Sequence, residues 1–331
     1  MKLLVTGGAG FIGSHLCDFL LSQGHQVISL DNLVNGKEEN HEVASANPNF
    51  QFIKGDILNL DDCKAAVSEV DLVFHLACLG VRHSIHSPIE NHEVNATGSL
   101  NILEASRQEG VKRFIYVSTS EIYGDIKSFP IAEDGVPLPK TVYGSSKLAG
   151  ENYAYSYHIC YGMDVTITRI FNNYGPRAHY EGDAGEVIPR NIVQILNGKR
   201  PVIFGDGGVT RDFFFVKDTA KALGRIMDQK KLAGQIINIG TGVEITMKHL
   251  LETLLELMGK SQELPIQYLP DRPADVPRLW VNPNKFRNLT GWSEMDAMNF
   301  EEGLKETIAY YSALNKDRDL LSEVKLNNWE K

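Results

Sequence analysis

Tyr143 and Lys147 stand four residues apart in a stretch with helical character, Tyr143-Gly144-Ser145-Ser146-Lys147. That spacing puts both side chains on one helix face. An ammonium beside a phenol stabilises the phenolate and lowers its pKa from about 10. A tyrosine tuned in this way can take a proton from a hydroxyl while hydride leaves the same carbon. Tyr123 and Lys127 repeat the spacing. Gly124 and Phe129-Pro130 argue against a helix there, so this second pair is expected to be structural.

Hydride needs an acceptor, and a second motif points to one. Thr6-Gly7-Gly8-Ala9-Gly10-Phe11-Ile12-Gly13 follows an apolar run and opens a helical pattern. One glycine makes the turn, one lets the backbone approach a pyrophosphate, and one lets helix and strand pack closely. The helix N-terminus aims free N–H groups at the phosphates. Asp31 ends the next apolar run, 24 residues after Gly7. A carboxylate there accepts from the adenosine ribose hydroxyls and repels a 2′-phosphate, which favours NAD over NADP.

The elements around these motifs alternate. Apolar runs at 2–6, 26–30, 50–54, 72–77, 113–118 and 165–171 read as strands. Helical patterns cover 11–23, 60–70, 95–110 and 142–161. Continuous apolar strands between helices mean a parallel sheet covered on both faces, a Rossmann-type doubly wound α/β fold. After Phe171 glycine and proline become frequent. Residues 1–171 are therefore expected to form the dinucleotide-binding domain and 172–331 mainly a smaller substrate-binding domain. A run at 236–240 is expected to return to the first sheet. The tail from Lys316 is polar and reads as a surface helix or frayed end.

The 331 residues allow about two domains. A net charge of −9 argues against a nucleic-acid binder. No apolar run approaches the 18 residues of a membrane span, and the N-terminal run is short for a signal peptide. The cysteines Cys17, Cys63, Cys78 and Cys160 form no CxxC pair. They read as four reduced core thiols, consistent with a cytoplasmic protein. His83, His86 and His92 lie loosely together and are expected to be surface or substrate contacts, with no metal.

The glycine loop and the Tyr143–Lys147 motif together resemble the extended short-chain dehydrogenase/reductase family, within it the NAD-dependent nucleotide-sugar epimerases, dehydratases and decarboxylases. The likeness runs from Lys2 to about Tyr311. It implies that NAD lies on Gly7, Gly10, Phe11, Ile12, Gly13, Asp31 and Asn32. Asp56 and Ile57 would face the adenine, and Leu76, Ala77, Asn95, Ser118, Tyr143 and Lys147 the rest of the cofactor. It implies that Thr119 bonds the hydroxyl being oxidised, beside Ser120 and Glu121. Asn172, Arg211 and Arg278, five residues past Asp271-Arg272-Pro273, would bind the diphosphate of a UDP-, GDP- or dTDP-hexose. Arg82, in Gly80-Val81-Arg82-His83-Ser84, could meet a sugar carboxylate. The resemblance also implies a homodimer, paired through the helices at 95–110 and 142–161.

All three activities share oxidation at C4. They differ afterwards. A C4 epimerase rotates the keto sugar and needs no carboxylate at position 121. A 4,6-dehydratase needs a base for the C5 proton, and Glu121 matches it. Ser120 stands where many dehydratases carry an aspartate, and serine is a poor acid. The expectation is a 4,6-dehydratase, with C4 epimerisation of a sugar or uronate as the alternative and uronate decarboxylation a third. A non-catalytic NAD-dependent sensor is the reading from a different class.

Overall fold

In the computed structural model, which describes residues 1–272 and 275–329, seven parallel strands form the central sheet. They are β1 (Lys2–Thr6), β2 (Gln26–Asp31), β3 (Phe50–Lys54), β4 (Leu72–His75), β5 (Arg113–Thr119), β6 (Val165–Ile170) and β7 (Ile236–Ile239). Their order is β7-β6-β5-β4-β1-β2-β3. The chain winds one way from β1 to β3 and the other way from β4 onward. That leaves a switch point between β1 and β4, where a crevice opens at the strand carboxyl ends. The run at 236–240 does rejoin this sheet, pairing Ile236–Ile239 with Ile167–Ile170.

The strands are apolar on both faces because both faces are covered. Helices α1 (Phe11–Ser22) and α5 (Val216–Met227) pack on one face, where Leu16, Leu20, Leu223 and Ile226 are wholly buried. Helices α2 (Leu60–Val67), α3 (Ser99–Gln108) and α4 (Val142–Tyr161) cover the other. The expected helix at 95–110 begins differently. Residues Glu93–Gly98 form a π-helical turn before the α-helix starts at Ser99. Such wide turns recur beside functional sites.

Helix α4 carries Tyr143 and Lys147 and is held firmly at both ends. Thr141 caps it by accepting from the Gly144 N–H at 3.1 Å, and Gly162 ends it in the left-handed region. A buried ion pair fixes its middle to β6. Arg169 donates to both Glu151 oxygens at 2.8–3.1 Å and to the Tyr123 hydroxyl at 2.8 Å. Tyr123 is thus a buried structural residue, and Lys127 pairs with Asp125 at the surface. The rejected Tyr123/Lys127 pair never shares a helix.

A further cluster lies beyond the sheet. Leu250, Leu254, Ile192 and Leu304 form its centre, contributed by α6 (Met247–Leu257) and the helices Val187–Leu196 and Phe300–Asp317. The described part of the tail stays largely at the surface, as expected, but two of its residues are anchored inside. Leu320 and Asn328 are fully buried, and Asn328 donates to the Gly185 carbonyl at 2.8 Å. The thiols also divide differently from the expected four core positions. Cys17 and Cys63 are buried, Cys78 is half-buried and Cys160 is exposed.

One buried contact carries a pH prediction. His15 of α1 bonds the Pro176 carbonyl at 3.0 Å. Burial, with Arg177 nearby, lowers its pKa from 6.5 to about 4. The unfolded chain therefore binds this proton more readily. The stabilisation is complete above about 6.5 and disappears as pH falls toward 4, a loss of about 3 kcal/mol. His15→Gln keeps a donor without titrating. Its melting temperature is expected to fall less than that of wild type between these pH values, and parallel curves would exclude the assignment.

Candidate active site

The crevice at the switch point is one continuous pocket of about 540 Å³. Its first end is the glycine loop. Gly7 has φ +70°, and a Cβ there would sit 2.8 Å from the Ala77 backbone. A Cβ on Gly13 would sit 2.1 Å from the Gly7 carbonyl oxygen. Only glycine lets loop and helix close up in this way. Asp31 clamps the loop, accepting from Ala9 N at 3.0 Å and Leu33 N at 2.8 Å. Asn32 donates to Asp56 at 3.0 Å.

This end has the donor set and shape for a dinucleotide. Gly7, Gly10, Phe11, Ile12, Gly13, Asp31 and Asn32 all line it, as do Asp56, Ile57, Leu76, Ala77 and Ser118. Ser118 Oγ is buried without a hydrogen-bond partner among the described residues, an open polar position on the pocket wall. Asn95 behaves differently from expectation. It does not line the pocket. Fully buried, it accepts from Leu79 N at 2.8 Å and donates to Leu79 O, Asn91 and Ser146. It holds the Cys78–Gly80 turn in place rather than facing the cavity.

Thr119, Ser120, Glu121, Tyr143 and Lys147 meet at the centre of the pocket. Thr119 ends β5 beside Tyr143 on the pocket wall, and its hydroxyl accepts from Glu121 N at 3.2 Å. The Tyr143 phenol is pushed well above its ordinary pKa, first by burial, then by Cys78 and Glu121, against the pull of Thr119. The expected lowering by Lys147 is not seen here. Lys147, almost fully buried, donates to the Val117 carbonyl at 2.8 Å and lies 4.5 Å over the Tyr116 ring. Helical spacing puts the two side chains on one face; the strand beneath takes the ammonium.

Glu121 follows the Thr119 corner. Its carboxyl is raised, first by burial and then by Asp275, while Arg211, Arg82 and Arg272 pull it back. Those arginines define the second end of the pocket. Arg211 and Arg272 share Asp275, at 2.8 and 2.9 Å. Arg82 is lowered to about 10 and Arg190 to about 9, both by burial and by mutual repulsion with Arg272. Nε of both Arg190 and Arg272 lacks a partner among the described residues. Cations crowded and under-bonded in this way demand an anion.

Arg82, Asn172 and Arg211 line this end, and Asn172 Oδ1 is buried without a partner among the described residues. Arg278 does not line it. It pairs with Glu244, Nη2 at 2.7 Å, and stacks on Phe129 and Trp280. The pocket arginine of that stretch is Arg272, which was read only as a marker for Arg278. Glu186 and Asp275, which also line this pocket, were missed as well. Their signal is tertiary, since nothing near them in the chain marks them. His83 and His86 pair with Glu90 and Asp183 at 3.2 and 2.7 Å.

A parallel doubly wound sheet, a glycine cradle at its switch point and a tyrosine facing a cationic cavity define a class: a nucleotide-sugar enzyme that uses a nicotinamide dinucleotide. Residues 4–307 match the family model described as GDP-mannose 4,6 dehydratase. The chain belongs to this family of NAD-dependent extended short-chain dehydrogenase/reductase enzymes acting on nucleotide sugars. It is 35% identical to a putative UDP-glucose 4-epimerase of Methanocaldococcus jannaschii, over 95% of this chain and 99% of that one. It is 36% identical to a UDP-N-acetyl-alpha-D-glucosaminuronate decarboxylase of Bacillus cytotoxicus, over 96% and 99%. The dTDP-glucose 4,6-dehydratase of Streptomyces venezuelae, solved with NAD bound, superposes with a TM-score of 0.89 at 32% identity, over 96% and 98%. Among the described residues no helix is long and apolar enough to cross a membrane.

Proposed function

We propose that this chain oxidises C4 of a nucleotide-linked hexose transiently and that Glu121 then acts at C5, which makes it a nucleotide-hexose 4,6-dehydratase. The observation that carries this is the Glu121 carboxyl in the pocket wall beside Thr119 and Tyr143. NAD held on the glycine loop and Asp31 would supply the acceptor for the C4 hydride and the donor that returns it to C6. The protein's residues do the rest. Thr119 and Tyr143 hold the C4 hydroxyl, and Tyr143 takes its proton as the C4–H bond breaks. The 4-keto group acidifies C5. Glu121 removes the C5 proton, the C6–O bond breaks, and Glu121 passes that proton to the departing hydroxide, which leaves as water; hydride then adds at C6 and Tyr143 returns its proton to C5, which completes the 4-keto-6-deoxy sugar. Arg211 and Arg272 neutralise the diphosphate and fix the sugar's position.

Arg82 favours a second reading. It lies near Glu121 and Glu186 with cationic neighbours, an arrangement suited to a sugar carboxylate. On a uronate, the same oxidation leads to C4 epimerisation or to loss of CO₂ from C5. The test is incubation with NAD and UDP-, GDP- or dTDP-hexoses and a UDP-uronate. A 4-keto-6-deoxy product supports dehydration. An isomer or CO₂ assigns the second reading. No turnover of any nucleotide sugar would point to a non-catalytic sensor.

The protein is proposed to be a cytoplasmic homodimer. Val142, Tyr155, Ile159 and Tyr161 of α4 and Leu100 of α3 are exposed, and paired helices would cover them. Light scattering is expected to give twice the chain mass, and a monomer at micromolar concentration would exclude it.

A further inference from the structure

The matched family region stops at residue 307, yet the described chain continues to Trp329 and returns to the pocket. Leu320 is fully buried and Tyr180 donates to Glu323 at 3.2 Å. Arg318 pairs with Glu39 at 2.6 Å. Asn328, fully buried, donates to Gly185 O. These anchors bring Trp329 onto the pocket wall, where its ring stands edge-on to Phe204 at 5.1 Å.

The place of Trp329 along the pocket follows from its neighbours. Glu121, at the reacting centre, feels Arg211, Arg82 and Arg272. Arg272 in turn lies 5.4 Å over the Phe204 ring, and Phe204 meets Trp329. The sequence of groups is thus reacting centre, arginines, aromatic corner. A nucleotide sugar has the same order: sugar, diphosphate, nucleoside. With the sugar at Tyr143 and the diphosphate on the arginines, the ring that reaches the corner is the base. Planar bases stack on aromatic side chains.

We propose that Trp329 forms part of the nucleobase subsite and helps set which nucleoside diphosphate is accepted. The proposal rests on the nucleotide-sugar reading above. It gives the C-terminal segment a binding role outside the matched family region.

The test measures binding of UDP, GDP and dTDP, without sugar, to the full chain saturated with NAD. Trp329→Ala is expected to bind the preferred nucleotide at least about tenfold more weakly, with NAD affinity and melting temperature unchanged. Trp329→Phe keeps a stacking ring and is expected to retain most of the affinity. The fluorescence quench on nucleotide binding in wild type should disappear in Trp329→Phe. Wild-type affinity in Trp329→Ala for all three nucleotides, or a persisting quench in Trp329→Phe, overturns the proposal. If wild type binds none of the three, the nucleotide-sugar reading itself falls. If wild type binds and Trp329→Ala matches it, only the subsite assignment falls.

Discussion

Tyr143→Phe is expected to cut turnover by about 10³-fold, equivalent to about 4 kcal/mol of transition-state stabilisation. The ring stays and only the oxygen goes, so packing against Thr119 and the pocket wall is preserved. Glu121 also lines this pocket, but its carboxyl is assigned to C5. Cofactor affinity should change little, because the glycine loop and Asp31 hold the adenosine end whether or not the Tyr143 hydroxyl contributes at the other. The measurement is kcat on the preferred nucleotide sugar, with cofactor binding and melting temperature as controls. A loss under tenfold with those controls intact would remove Tyr143 as the proton acceptor.

The pKa direction adds to this prediction. Burial raises the Tyr143 phenol, and Lys147 is engaged with Val117 and Tyr116. A phenol held above its usual range is mostly protonated at neutral pH. Activity should therefore rise with pH on the alkaline side, and this rise should vanish with the hydroxyl in Tyr143→Phe.

Glu121→Gln is expected to abolish formation of the 4-keto-6-deoxy product, by about 10³-fold or more. The amide keeps the shape and can still hydrogen-bond, but it cannot accept the C5 proton. Oxidation at C4 needs only Tyr143 and Thr119, so reduced nicotinamide should still accumulate on mixing with substrate. That split, hydride transfer present and elimination absent, separates Glu121 from a merely structural carboxylate. Its burial among Arg82, Arg211 and Arg272 makes the same variant informative for the uronate reading, where CO₂ release or isomer formation is followed instead. Unchanged product formation would remove Glu121 from the mechanism.

Some of this molecule could be read from the chain alone. The six early strands, the long helix Val142–Tyr161 and the return of Ile236–Ile239 were legible because continuous apolar runs and helical periodicity are local signals. The glycine loop with Asp31 was legible because its chemistry lies within one βαβ unit. Tyr143 was separable from Tyr123 because glycine and proline punctuate only the second. Thr119 and Glu121 came from resemblance, and they do reach the same cavity as Tyr143.

Other parts depended on contacts between distant residues. Arg272 lines the pocket and Arg278 does not, although they lie six residues apart in one arginine-rich stretch. The choice was made by Glu244, which captures Arg278, and by Asp275, which ties Arg272 to Arg211. Asn95 was drawn from the cavity into the Leu79 turn by hydrogen bonds that only the folded chain creates. Lys147 turned to a carbonyl on β5 that periodicity could not foresee. The described part of the polar tail is anchored by Leu320 and Asn328, which find buried places far away in the chain. Composition and spacing specify which elements form and the chemistry each carries. Which side chain of a local group reaches the cavity is decided by the partners its neighbours meet, and those come from other elements.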